Sequence, residues 1–143
     1  MKRRLTRSVL VCVAVLVVAA GCASGPQASA PPLSPAKALQ PGDLKMLAGE
    51  WEGTIRGSTG PGQFGGSSFP VRVTVGEDGK FTSNISGRPG EGTATIVDGK
   101  LAIAGSTANG VATLHERGGK QVLRGEGRLV GIDGTSQFEV TKR

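Results

Sequence analysis

From Glu50 to the C-terminus, apolar and polar residues alternate in short runs, each cut off by a glycine-containing turn signal. Alternation at a period of two marks strands with one buried face. The pattern predicts eight strands, at 50–57, 69–76, 80–86, 91–97, 100–105, 110–117, 120–130 and 135–141. The turns supply an independent register. Asp98-Gly99 as a two-residue hairpin loop sets Ile96 opposite Leu101 and Ala94 opposite Ile103. Gly118-Gly119 sets Leu114 opposite Leu123 and Ala112 opposite Gly125. Glu77-Asp78-Gly79, a three-residue loop with a glycine bulge, sets Val75 opposite Phe81. Asp133-Gly134 as a two-residue loop sets Leu129 opposite Phe138 and Arg128 opposite Glu139. In each case apolar residues meet on one face and polar residues on the other.

Consecutive hairpins make an antiparallel meander, and a meander with one apolar face must close, fold on itself as a sandwich, or be covered. Eight strands are enough to close a small up-and-down barrel, which also removes the edge strands. The predicted class is therefore all-β, an eight-stranded antiparallel barrel. The inward set runs from Trp51 and Ile55 through Val71, Val73, Val75, Phe81 and Ile85 to Phe138 and Val140, and contains no charged residue. Gly53, Gly125 and Gly127 share that face, where they make room or let the strands curl. The lumen is therefore either filled by its own side chains or left with a cavity for something small and apolar.

Just before the first strand, Leu44-Lys-Met-Leu-Ala-Gly49 predicts a short helical turn within 41–49, with Asp43 as its cap and Gly49 as its stop. So short a helix cannot stand alone and must lean on the sheet. Trp51, the chain's only Trp, then opens the first strand on its inward face. A Trp there buries up to about 250 Å² and can plug one end of a barrel.

The N-terminal part follows other rules. Met1–Arg7 is basic, and Ser8–Ala20 is an apolar run of 13 residues, too short to span a bilayer and the right length for a signal-peptide core. It closes on Ala19-Ala20-Gly21-Cys22. This resembles a bacterial lipobox, with Ala19 where Leu is commonest. The resemblance implies cleavage after Gly21 and lipidation of Cys22 on its sulfur and its new amino group. Ala23 after the Cys implies sorting to the outer membrane where the cell has one, and otherwise attachment to the outer face of the plasma membrane. Residues 23–40 are mostly Ala, Pro and Ser and read as a semi-extended tether of up to about 55 Å. The expected organisation is a signal peptide at 1–21, a lipidated Cys and linker at 22–40, and a barrel domain at 41–143.

Charge and cysteines narrow the classes further. The chain carries 17 Lys+Arg against 11 Asp+Glu, but Lys2, Arg3, Arg4 and Arg7 belong to the signal. What remains is nearly balanced, so nucleic acid is not the expected partner. Both cysteines, Cys12 and Cys22, lie ahead of the folded part, which has no thiol for a disulfide or a metal site.

Gly49-Glu50-Trp51 followed by an eight-strand meander resembles the Gly-x-Trp signature of the lipocalin and avidin-like barrels. The resemblance implies that Trp51 closes the barrel base. The chain departs from avidins in having one Trp and no Tyr, and from lipocalins in having shorter strands. The one long loop, 57–68, contains a formal Gly60-x-Gly62-x-x-Gly65 fingerprint, but joins antiparallel strands where a dinucleotide site needs a strand, a turn and a helix. It reads instead as a connector, or as a lid carrying Phe64. Trp51, Phe64 and Phe69 are the candidate ligand and lid residues.

His115, the only His, falls on the outward face with no nucleophile motif and no ligand cluster around it. The expectation is a non-enzymatic protein with no cofactor, no metal site and no catalytic residue, monomeric and lipid-anchored in the cell envelope. Two functional readings stay open. One is binding of a small apolar ligand in or at the mouth of the barrel. The other is an inhibitor-like or structural module with a filled barrel that contacts an envelope protein or polymer.

Overall fold

The computed structural model describes residues 30–57 and 67–143. Its strands are β1 (Gly49–Gly57), β2 (Ser68–Val75), β3 (Lys80–Ile85), β4 (Arg88–Val97), β5 (Lys100–Gly105), β6 (Ala108–Arg117), β7 (Lys120–Leu129) and β8 (Ser136–Lys142). Each pairs antiparallel with the next, and β8 pairs with β1, so the sheet closes as an up-and-down barrel. Ile96 faces Leu101, Ala94 faces Ile103, Leu114 faces Leu123, Ala112 faces Gly125 and Val75 faces Phe81, as the turn chemistry requires.

Two elements depart from the sequence reading. Pro89 lies inside β4, opposite Asn84, because the hairpin turns on only two residues, Ser86 and Gly87. Both have positive φ, 51° and 86°, and the Gly87 amide donates to Asn84 Oδ1 at 2.8 Å. The expected strand begins at 91; β4 starts at Arg88, and Pro89 is tolerated because it is exposed on the outer face beside the turn. The second departure is the register of β7 and β8. Phe138 faces Gly125 and Glu139 faces Arg124, so Leu129 is not opposite Phe138 and Arg128 is not opposite Glu139. The connection spans 130–135 rather than two residues. The slip is even, which keeps every side chain on its face, and alternation cannot detect an even slip.

Phe138 gains a glycine partner from that register. A Cβ built on Gly125 would lie 2.7 Å from Phe138 Cζ and 2.8 Å from Ala112 Cα. Phe81 does the same for Gly92, its cross-strand partner, at 2.7 Å. Rings laid over inner-face glycines let strands coil tightly while keeping the space filled. Gly125→Val is expected to force β6 and β7 apart and cost roughly 1–3 kcal/mol. Urea denaturation of the variant measures this, and an unchanged midpoint would mean that the strands have slack at this point.

One end of the barrel is plugged. A 3₁₀ turn at Pro41–Asp43 leads into α1 (Leu44–Leu47), with Leu47 fully buried. Asp43 stands at the N-cap of α1 but its side chain makes no cap bond to that helix; its carboxylate instead accepts the Gln40 amide at 2.8 Å, closing the 3₁₀ turn. The last carbonyls of this short helix would face an apolar lumen unpaired, and two side chains satisfy them. Trp51 Nε1 donates to the Leu47 carbonyl at 2.8 Å, and Lys142 Nζ to that of Met46 at 2.5 Å. Ahead of the helix, Leu39 is only 2% exposed and its amide donates to the Gly99 carbonyl at 2.9 Å. The compact unit accordingly begins at Pro31, earlier than the boundary at 41 that composition suggested.

Candidate ligand site in the barrel lumen

The inner face forms one apolar cluster, with Trp51, Leu101, Ala112 and Leu114 at its most buried positions and Phe69, Ile103 and Phe138 packed against it. These side chains leave a cavity of about 80 Å³. It extends from Trp51 at the plugged end past Val73, Phe81 and Ile103 towards Ala108 and Gly127 near the opposite end. A space of this size holds a handful of heavy atoms, roughly half the volume of an engineered apolar cavity that binds benzene. Polar groups approach it mainly towards that opposite end. Ser83 Oγ lies 3.4 Å from Thr107 Oγ1, and Asn109 Oδ1 accepts the Gly105 amide at 3.1 Å. Both pairs are satisfied within the protein, so the cavity presents hydrocarbon to whatever enters it.

Of the candidate residues, Trp51 lines the cavity, fully buried. Its Nε1–H is committed to Leu47, so a ligand meets the ring and not the donor. Phe69 is half-buried, faces Ile55 across β1 and β2 and packs on the core without lining the cavity. Cys22 and Phe64 lie outside the described residues. Among the described residues, no three His, Asp or Glu side chains are grouped so as to hold a metal ion.

The outer face carries the charged pairs. Glu52 lies between Arg72 at 2.5 Å and Arg143 at 2.6 Å. Partial desolvation alone would raise its pKa, but hydrogen bonds and charge from the two guanidinium groups outweigh it and hold the carboxyl below its ordinary value. A depressed carboxylate stabilises the fold above its ordinary pKa, and that contribution is lost as pH falls through the folded value. Arg117 on β6 pairs with Glu139 on β8 at 2.7 Å, reaching across β7. On β7 Val122, on the outward face by alternation, is 0% exposed. Its cross-strand neighbours on the two sides are His115 and Thr141.

His115 does lie on the outer face of β6, but it is half-buried and bonded at both ring nitrogens. Nδ1 is 2.8 Å from the Ser34 carbonyl and Nε2 is 2.8 Å from Thr113 Oγ1. Sequence reasoning missed this because its partner is 81 residues away, in a stretch whose composition reads as tether.

The fold defines a class, the small closed antiparallel barrels of eight strands, and is compatible with a lipocalin-like architecture. Compared with known proteins, the chain matches no protein-family model, no curated protein and no solved structure.

Proposed function

We propose that this is a lipid-anchored, non-enzymatic protein of the bacterial cell envelope whose barrel takes a small apolar ligand. The observation that carries the reading is the continuous apolar cavity of about 80 Å³ bounded by Trp51 at the plugged end. Its size limits the guest to a short alkyl group, a small ring, or the end of a longer chain entering from the side away from Trp51. The anchor rests on the basic start, the apolar run and Ala19-Ala20-Gly21-Cys22. Gly49-Glu50-Trp51, with the Trp at the barrel base, supports kinship with the lipocalin and avidin-like barrels. One observation favours the alternative, a module that contacts an envelope protein or polymer: the core side chains occupy most of the lumen.

Fluorescence of Trp51 separates the two. Benzene, hexanol and hexanoate are titrated into the wild-type chain and into Ala94→Leu, which adds bulk at a buried position lining the cavity. Native mass spectrometry of protein taken from its own envelope adds a direct look for bound mass. A saturable response in the wild type that disappears in Ala94→Leu supports the ligand reading. An empty protein with no saturable response to any probe rejects it in favour of the surface module.

A further inference from the structure

The two ends of the barrel differ in how their charges are paired. At the plugged end and along the wall, Arg72 and Arg143 share Glu52, Arg117 holds Glu139, Lys80 meets Asp78, and Lys142 donates to the Met46 carbonyl. The opposite end carries Arg56 near the end of β1, Arg88 at the start of β4 and Arg128 near the end of β7. All three are exposed, and none is ion-paired or hydrogen-bonded through its side chain among the described residues. Their cross-strand neighbours are Ser68 and Gln137, Ile85, and Asn109, none of them acidic. Residues 1–29 and 58–66 contain neither Asp nor Glu, so each of the 11 acidic side chains belongs to a described residue. Only Asp133, between β7 and β8, sits in a connection at this end, and Glu126, one outward step along β7 from Arg128, makes no ion pair with it.

The three arginines stand on β1, β4 and β7 of an eight-stranded rim, so they surround the opening, and their charges add over it. Arg88 is the one on the inward row. It lies opposite Ile85, which lines the cavity. Between Arg88 and Ala94, another lining residue, the inward row of β4 holds only Gly90 and Gly92, which have no side chains. The lumen itself offers hydrocarbon, and Trp51 closes its far end. A guest with a polar head therefore enters tail first and leaves its head at the rim. With about 80 Å³ for the tail, the head of even a short chain stays within reach of that rim. A cationic head meets three like charges there. An anionic one meets guanidinium groups, whose forked donors match carboxylate and phosphate oxygens.

We infer that lumen and rim form one site for a single-chain amphiphile with an anionic head, its tail against the apolar core and its head on Arg88, with Arg56 and Arg128 adding attraction from the other sides. The inference rests on the ligand reading above and adds the chemistry of the head to it. Arg88 is the contact residue because it alone lies on the inward row. Arg56 and Arg128, on the outward row, act through their field, which salt screens.

The test compares hexanoate with hexanamide, its neutral isostere, by calorimetry and Trp51 fluorescence on the full chain at neutral pH. Hexanoate is expected to bind about fivefold more tightly at low ionic strength, and the ratio to fall towards one in about 0.5 M salt. Arg88→Gln should weaken hexanoate about threefold, and Arg56→Gln or Arg128→Gln by less, with hexanamide unchanged in all three. The unchanged hexanamide affinity also shows that the lumen is intact in each variant. Ala94→Leu should weaken both probes. Equal affinities in the wild type, or a preference that survives the triple Arg→Gln variant, overturns the inference and leaves the apolar ligand reading standing. Hexanoate binding undiminished in Ala94→Leu overturns it as well, since the rim would then hold anions without the lumen. No saturable binding of either probe rejects the ligand reading and this inference together.

Discussion

Trp51→Ala is expected to lower the unfolding free energy by about 3–5 kcal/mol, most of what a domain this small possesses. The ring is 0% exposed and bounds the lumen cavity, so its removal enlarges a void that already exists. It also withdraws the donor from the Leu47 carbonyl and the ring face from Lys142, whose Nζ lies 5.8 Å from the ring centroid. A buried carbonyl without its partner adds to the cavity cost. Trp51→Phe weights the comparison towards the donor, because it keeps most of the hydrocarbon and loses the Nε1–H entirely. Urea denaturation followed by far-ultraviolet circular dichroism measures both variants. A loss below about 1 kcal/mol in Trp51→Ala would mean that the helical plug, and not the ring, closes this end.

The second large effect is on location. Cys22→Ala is expected to move the protein from the membrane to the soluble fraction entirely, since the lipobox-like motif supplies the proposed attachment point. Two or more acyl chains make anchoring effectively stable, whereas one alone is marginal, so losing the modified residue leaves nothing comparable behind. Membrane fractionation and intact-mass analysis of the wild type and the variant check this. Continued dependence of Cys22→Ala on detergent would reject the lipoprotein assignment and leave a secreted or otherwise attached barrel. Neither result bears on the lumen, so the two halves of the functional proposal stand or fall separately.

Much of the barrel was legible because two local signals agree. The alternation that puts Val71, Val73 and Val75 on one face and Arg72 and Thr74 on the other is a property of the residues themselves. So is the turn chemistry of Asp98-Gly99 and Gly118-Gly119, where Asp98, Gly99, Gly118 and Gly119 all take positive φ. Where only one signal was present, the reading slipped. Asp133-Gly134 has the composition of a hairpin turn, and alternation accepts any even register. Packing decided for Gly125 opposite Phe138, since a ring there fills the space that a glycine leaves. The pattern starts β4 at 91 and the fold starts it at Arg88: Pro89 has no amide to give a ladder, but its place on the outer face beside a two-residue turn tolerates the loss.

By itself, the sequence determined the all-β class with its eight-strand meander, the face on which most core residues lie, and the place of Trp51 at the start of the first strand on its inward face, while the closure of β8 onto β1 was decided by the tertiary structure. These follow from periodicity and from the dihedral demands of individual residues, which are local. It also carries the lipobox-like run ending at Cys22 on which the proposed anchor rests, a pattern that is read without a fold. Only the tertiary structure decided the size of the cavity, because a volume is the small difference between the space the strands enclose and the side chains that fill it. Only the fold could place Ser34 on His115 and bring Arg117 to Glu139 across β7. Those contacts join residues far apart in the chain through hydrogen bonds and charge, which leave no periodic trace. A proline-rich stretch with nothing apolar to bury except Leu33 and Leu39 looks like a tether until the end of β6 beyond Ala112, which β5 does not pair, offers it somewhere to bind.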